Sequence, residues 1–251
     1  MIVQYFSDLH LETYHKLKLD SILKKIKISG EVLILCGDIG NPFSYNYKKF
    51  LEYIHDKYKK IFIIAGNHEF YRNGFSIEDS IKKIKEIIKD KPTIYFLNNN
   101  CEFYNNYLFV GTTLWSEITD KELALKYKIN DLNSIQNMTI EKYNKMHQES
   151  VKFLTEVLKN NENKDIIILT HHVPLFELID DYYKKEFSNY NQWFASDLKH
   201  LLNKNIKYWF YGHTHTVNNS TLYDIKFCCN PIGYYKENNR PEYDKVINLQ
   251  E

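Results

Sequence analysis

Five short apolar runs, at residues 2–6, 32–36, 61–65, 166–170 and 208–211, are rich in Ile, Val, Leu, Phe and Tyr. Each is followed within two residues by Gly, Asp or His. Runs of this length closed by turn residues predict buried strands. Helix-period patterns lie between them. Ile22, Leu23, Ile26 and Ile28 predict an amphipathic helix over 21–28, and Phe50, Leu51, Ile54 and Tyr58 another over 45–58. Ser76-Ile77-Glu78-Asp79 resembles a capping box. It opens a helix with Ile77, Ile81, Ile84 and Ile88 on one face, stopped at Lys91-Pro92. Residues 94–97 and 107–110 read as strands, 141–159 and 191–202 as helices, and 223–229 as a late strand turning at Asn230-Pro231-Ile232-Gly233. Alternating strands and helices predict an α/β fold. Residues 116–140 show no clear period; placed between two core strands, they are an expected excursion and a candidate lid.

The chain has 251 residues, 43% of them hydrophobic, and no Pro/Gly/Ser-rich linker, so a single domain over 1–251 is expected. A net charge of +1 gives no reason for non-specific attraction to nucleic acid or anionic membranes. No apolar stretch approaches the roughly 18 residues that span a bilayer. A cleaved leader is not expected, because it would remove Asp8 and His10. Cys36, Cys101, Cys228 and Cys229 form no C-x-x-C motif. Buried thiols in a reducing, cytoplasmic compartment explain them better than a disulfide framework.

The five strand ends carry the candidate chemistry: Asp8 and His10, Gly37-Asp38, Gly66-Asn67-His68-Glu69, His171-His172, and Gly212-His213-Thr214-His215. Ligands of open α/β sheets gather at the carboxyl ends of strands. Segments far apart in sequence therefore predict one metal site. Residues i and i+2 of an extended segment point to the same side. Asp8 and His10 can address one ion together, and His213 and His215 either one ion or two close neighbours. Paired metals in hydrolases lie about 3.5–4 Å apart and clamp both oxygens of an in-line displacement. Asp38, alone after Gly37, suits the bridging carboxylate; Asn67 offers a carbonyl oxygen and His171 an imidazole nitrogen. Two divalent cations would outweigh the carboxylates of Asp8 and Asp38. The surplus charge would attract a phosphate dianion and lower the pKa of a water on the metals. His, Asp and Asn donors without thiolate favour Mn, Fe or Zn.

In order, Asp-x-His, Gly-Asp, Gly-Asn-His-Glu, His-His and Gly-His-x-His resemble the calcineurin-like metallophosphoesterase superfamily, from residue 2 to about 235. Gly111-Thr112-Thr113-Leu114-Trp115, Thr170-His171-His172-Val173-Pro174 and Cys229-Asn230-Pro231-Ile232-Gly233-Tyr234 are similar to segments of its small bacterial-type phosphoesterases. The resemblance implies a four-layer α/β/β/α sandwich of two mixed sheets, with the site along one edge. It implies Asp8, His10, Asp38 and His215 around one ion, and Asp38, Asn67, His171 and His213 around the other. His68 would be catalytic, stabilising the charged transition state or protonating the leaving oxygen. His171 is implied over His172, although either imidazole could lie at the strand end. Protein Ser/Thr phosphatases of the superfamily carry arginine after Gly-Asp and before Gly-Asn-His. Here Ile39-Gly40-Asn41-Pro42 and Ala65 stand in those places, so protein phosphatase activity is not expected.

The expected activity is metal-dependent hydrolysis of a small phosphomonoester or phosphodiester through metal-activated hydroxide. A non-catalytic scaffold is the first alternative; His68 and the full donor set argue against it. A nuclease of the same superfamily is the second, disfavoured by the absence of a basic stripe. Arg72 and His172 are candidate substrate contacts. Glu69 could orient a ligand or cap the next helix. Tyr71, Trp115 and Trp193 could stack on a base or aryl group, or belong to the core. His147 reads as a half-exposed helix residue. Nothing in the sequence marks an oligomeric state.

Overall fold

The first half of the chain alternates strand and helix as β1 (Ile2–Phe6), α1 (Lys16–Lys25), β2 (Val32–Cys36), α2 (Tyr45–Ile54), β3 (Lys60–Ile64), α3 (Ile77–Ile88) and β4 (Ile94–Phe96). Strands joined by helical crossovers run parallel, and β1 to β4 do so in register. The computed structural model describes the chain apart from residues 15, 72–73, 127–128, 235–236, 238–240 and 250–251, with backbone alone at 16–18, 123 and 125–126. A second sheet follows from β5 (Asn100–Tyr104) and β6 (Tyr107–Thr112). After α4 (Lys121–Lys126), α5 (Asn130–Ser134) and α6 (Ile140–Asn160) come β7 (Asp165–Thr170), α7 (Asp181–Glu186), β8 (Ile206–Phe210), β9 (Asn218–Leu222) and β10 (Ile225–Cys229). The chain returns to the first sheet as β11 (Val246–Asn248), antiparallel to β1. The sheets run β11-β1-β2-β3-β4 and β5-β6-β7-β8-β10-β9, both mixed: β11 is the one antiparallel strand of the first, and β5 and β9 are the antiparallel edges of the second.

Strand alternation decides the layers. Ile34, Phe62, Phe109, Ile167 and Phe210 fill the space between the sheets, where the Phe62 and Phe109 rings stack at 4.0 Å. Leu33, Leu35, Ile61 and Ile63 face the opposite way, toward α1, α2 and α3. Val110, Ile166, Ile168 and Trp209 meet Leu154 and Leu158 of α6 on the far side of the second sheet. The result is an α/β/β/α sandwich, the architecture the resemblance implies. Ser76 caps α3 as predicted: its hydroxyl accepts the Asp79 N–H, and the Asp79 carboxylate accepts the Ser76 N–H.

Several local expectations differ. The first helix covers Lys16–Lys25 rather than 21–28; the Lys27 carbonyl instead accepts from Gln4 Nε2 at 2.7 Å. No α-helix spans 191–202. Short 3-10 turns at Ser188–Trp193 and Lys199–Leu201 replace it. The backbone there pairs sideways: Val173 N–H donates to the Phe194 carbonyl and Ser196 N–H to the Val173 carbonyl, both at 3.0 Å. Tyr223 and Asp224 both have positive φ and turn β9 into β10, the pattern of a two-residue hairpin. The 116–140 excursion carries α4 and α5 and is packed down, with Ile118, Ala124, Ile129, Ile135 and Met138 buried in the helix layer of the first sheet. Among the described residues no helix is long and apolar enough to cross a membrane.

Candidate metal centre

The turns after β1, β2, β3, β7 and β8 converge on one edge of the sandwich. Asp8, His10, Asp38, His213 and His215 all have left-handed backbones, with φ between 47° and 73°. Asp and His are among the few side chains enriched in this region, though it remains uncommon for them. Cross-loop bonds hold it here. Asp8 N–H donates to the Gly37 carbonyl at 3.1 Å, His10 N–H to the Asp38 carbonyl at 2.9 Å, and Gly233 N–H to the Asp8 carbonyl at 2.8 Å. Asp8 Oδ1 accepts the His213 N–H at 3.0 Å, and Asp38 Oδ1 the His68 N–H at 2.8 Å. Gly37 makes the approach possible: at φ +80°, a Cβ there would lie 2.6 Å from Gly66 N and 2.7 Å from His171 Nδ1.

Three overlapping groups result, each with donor atoms within 4.8 Å of one another: Asp8, His10 and His215; Asp38, His171 and His213; and His10, Asp38 and His68 between them. Asp38 and His10 each belong to two groups. Asn67 Oδ1 joins the second, 3.0 Å from His171 Nε2. The far nitrogen of three imidazoles is already engaged: His171 Nδ1 at 2.8 Å from the Cys36 carbonyl, His215 Nδ1 at 2.6 Å from Glu237, and His10 Nδ1 at 3.4 Å from Glu12. Partners of this kind fix the tautomer and aim Nε2 inward. His10 Nε2 and His215 Nε2 consequently face each other at 2.9 Å, which a shared proton or a shared cation satisfies. Oxygen and imidazole donors of this number suit two divalent cations.

The electrostatics match that of a site built for positive charge. Burial alone would raise Asp8, but His215 holds it well below the carboxylate range; His171 and His68 do the same for Asp38. Against burial, Asp38 pushes the His171 imidazole up to about 9, and Asp8 with Glu237 pushes His215 up to about 10. Burial and the nearby His171 pull His213 down to about 3.

His68 sits at the mouth. Its Nδ1 lies 2.9 Å from Glu12, its Nε2 3.0 Å from the Tyr234 hydroxyl, and Tyr71 stacks on its ring at 4.2 Å. Against burial, Asp38 and Glu12 raise its pKa. Of its two expected roles Glu69 takes that of holding a predicted ligand in place, whereas Ser76 caps the next helix. Its buried carboxylate accepts N–H groups of Asp38 (3.0 Å), Ile39 (2.7 Å), Gly40 (3.2 Å) and Gly66 (2.7 Å), tying two site loops together. Burial and Asp38 push it up to about 8, against four donors that favour its ionised form.

His172 lies behind His213, ring centroids 4.2 Å apart, with Nε2 3.2 Å from the Tyr143 hydroxyl; it does not line the cleft. This corrects its reading as a substrate contact: the strand end turns His171 toward the centre and His172 into the core. Arg72 lies outside the described residues. Trp115 is buried in the core; Trp193, also buried, borders the cleft, as Tyr71 does. His147 is buried rather than half-exposed, with Nδ1 3.2 Å from the Leu114 carbonyl. The sequence reading passed over Glu12, Asp131, Tyr234 and Glu237. Glu12 continues the i, i+2 spacing of Asp8 and His10, which was a usable signal. Asp131, buried on α5, carried none: its Oδ1 accepts from the Tyr71 hydroxyl at 2.6 Å and from Asn67 Nδ2 at 2.9 Å.

Strand ends of two mixed sheets meeting in clustered His and Asp residues define a metallophosphoesterase-like sandwich with a candidate dinuclear centre. Residues 3–217 match the calcineurin-like phosphoesterase family, and the chain belongs to it. An uncharacterized protein of Acanthamoeba polyphaga mimivirus is 36% identical over 95% of this chain and 93% of its own length. A probable cyclic nucleotide phosphodiesterase of Coxiella burnetii is 26% identical over 86% of this chain and 73% of its own. Among solved structures, a phosphopantetheinyl hydrolase from Mycobacterium tuberculosis shares the fold with a TM-score of 0.73 at 15% identity, covering 94% of this chain and 93% of that one.

Proposed function

We propose that the chain hydrolyses a small phosphate monoester or diester at a dinuclear centre. Asp8, His10, Asp38 and His215 would hold one ion, and Asp38, Asn67, His171 and His213 the other. The carrying observation is the position of Asp38 Oδ2, 3.3 Å from His171 Nε2 and 3.8 Å from His10 Nε2, where one carboxylate can serve both. Two bound cations supply charge neutralisation at phosphorus and an acidified water. The rest falls to the chain. Glu12 holds His68 Nδ1, so that Nε2 is presented at the mouth for the leaving oxygen. Manganese, iron or zinc fits the donors. The free thiols, three of the four buried, support a cytoplasmic setting. The name of the Coxiella relative puts diesters among the compounds to assay. Release of nitrophenol from mono- and bis-nitrophenyl phosphate with Mn²⁺, Fe²⁺ or Zn²⁺ tests the reading; silence with every metal would leave a scaffold.

Two further outcomes follow from the site. At pH 7 the metal-free chain keeps His171 and His215 protonated, since their values lie near 9 and 10. Ligation needs those nitrogens bare, so loading should expel close to two protons, and affinity should fall as pH drops below about 10, more steeply below about 9. Calorimetry in buffers of different ionisation enthalpy reads the proton count; none released contradicts the ligand set. Asp131→Ala should weaken the ion at Asn67 by about tenfold, because the Asn67 amide then keeps only the Tyr71 hydroxyl, at 2.9 Å from Nδ2, to hold its orientation. Asp131→Asn, which retains an acceptor oxygen, should recover part of the loss. Equal metal affinity in all three proteins would show that Asp131 does not position Asn67.

A further inference from the structure

We propose that the cleft above the centre selects phosphate esters whose leaving group is a flat aromatic system. The inference rests on the phosphoesterase reading and adds the class of substrate. A cleft of about 470 Å³ opens over Asp38, Asn67, His213 and His215, within the range of small-molecule sites. One wall is a run of aromatic rings that begins at the centre itself. Phe194 lies 5.1 Å from the His213 ring. Beyond it, Trp193 and Tyr190 are 4.8 Å apart, Tyr190 and Phe187 5.9 Å, and Phe187 and Tyr183 5.8 Å. Phe194, Phe187 and Tyr183 are 37%, 39% and 45% exposed.

Large rings left in water beside a polar site mark a ligand surface. The segment leaves most of them at the surface: α7 buries none of its residues, and within Ser188–Trp193 only Trp193 is buried, with Tyr190 packed partly against the core. Tyr71 faces the same cleft, stacked on His68. A phosphate seated against His213 therefore puts its substituent on Phe194, and a planar group reaching outward meets Tyr190 and Phe187. Ring-to-ring distances of 4.5–7 Å are the ones at which aromatic groups attract each other.

The test uses substrate pairs with matched leaving oxygens: adenosine 5′-monophosphate against ribose 5-phosphate, and benzyl phosphate against ethyl phosphate. With the Mn²⁺-loaded chain, the aromatic member should have kcat/KM at least about tenfold higher. A gain in both pairs assigns flat rings in general, and a gain in the first alone assigns a nucleoside. Phe187→Ala and Tyr190→Ala should each shrink the ratio severalfold, chiefly through KM. Ratios near one in both pairs overturn the inference and leave the phosphoesterase reading standing. Calorimetry with the same four compounds and Mn²⁺ reads the preference as affinity even without turnover, the result that would sink the phosphoesterase reading instead.

Discussion

Asp38→Asn is expected to abolish phosphoester turnover, by at least about a thousandfold, in a protein that still folds. Asparagine matches aspartate in shape and tolerates a left-handed backbone, so the φ of +52° at this position is retained. The amide can still accept the His68 N–H that Asp38 Oδ1 takes at 2.8 Å. What disappears is the negative charge placed between His171 and His10. A neutral amide bridges two cations poorly, so both should bind more weakly. Turnover with saturating Mn²⁺, bound metal per chain and a thermal melt check the three parts of this expectation. Near-normal turnover with two ions bound would remove Asp38 from the bridging role.

His68→Ala should leave the ions in place and slow turnover by about 10²–10⁴-fold. Both ring nitrogens have partners other than a metal, Glu12 at 2.9 Å and the Tyr234 hydroxyl at 3.0 Å. The competing possibility is concrete, since His68 shares a donor group with His10 and Asp38. Metal content separates them. A variant that retains two ions but not its rate has lost a catalytic group, whereas one that loses an ion has lost a ligand. A second readout is the leaving group: nitrophenolate needs little protonation, so the defect should be smaller for it than for an alkoxide.

The strands that carry the site were legible because their residues are buried on both faces and read as unbroken apolar runs. β1 and β2 lie where those runs lie, and the other three differ by a residue or two at an end. The apolar edge strand β4 was legible as well, but the polar edges were not. β9, Asn218–Leu222, is largely polar, and β5, Asn100–Tyr104, buries none of its residues fully. The 191–202 segment misled because its apolar residues fit a helical period, while its backbone bonds go to Val173. Around the centre, residues adjacent to Gly-Asp and Gly-His motifs could be read in advance. Asp131 could not, for it reaches the site through a fold contact with no counterpart in local spacing; Tyr234 lies in a segment that carries the family resemblance, but its role at the site was not read. Of the cleft aromatics the sequence reading singles out Tyr71 and Trp193, whereas Tyr183, Phe187, Tyr190 and Phe194 were hidden, for Tyr and Phe recur along the whole chain.

The donors divide between the two halves of the sandwich: Asp8, His10, Asp38 and Asn67 hang from the first sheet, His171, His213 and His215 from the second. The faces between the sheets are apolar, and at this edge hydrogen bonds such as His213 N–H to Asp8 Oδ1 and His171 Nδ1 with the Cys36 carbonyl already tie one half to the other. A pair of ions at this edge would be a rivet through both plates, setting their registration to coordination-bond tolerance. Chelation would then do more than silence the chemistry; it would leave that edge to its hydrogen bonds alone and take away the stability that a ligand of the folded state supplies.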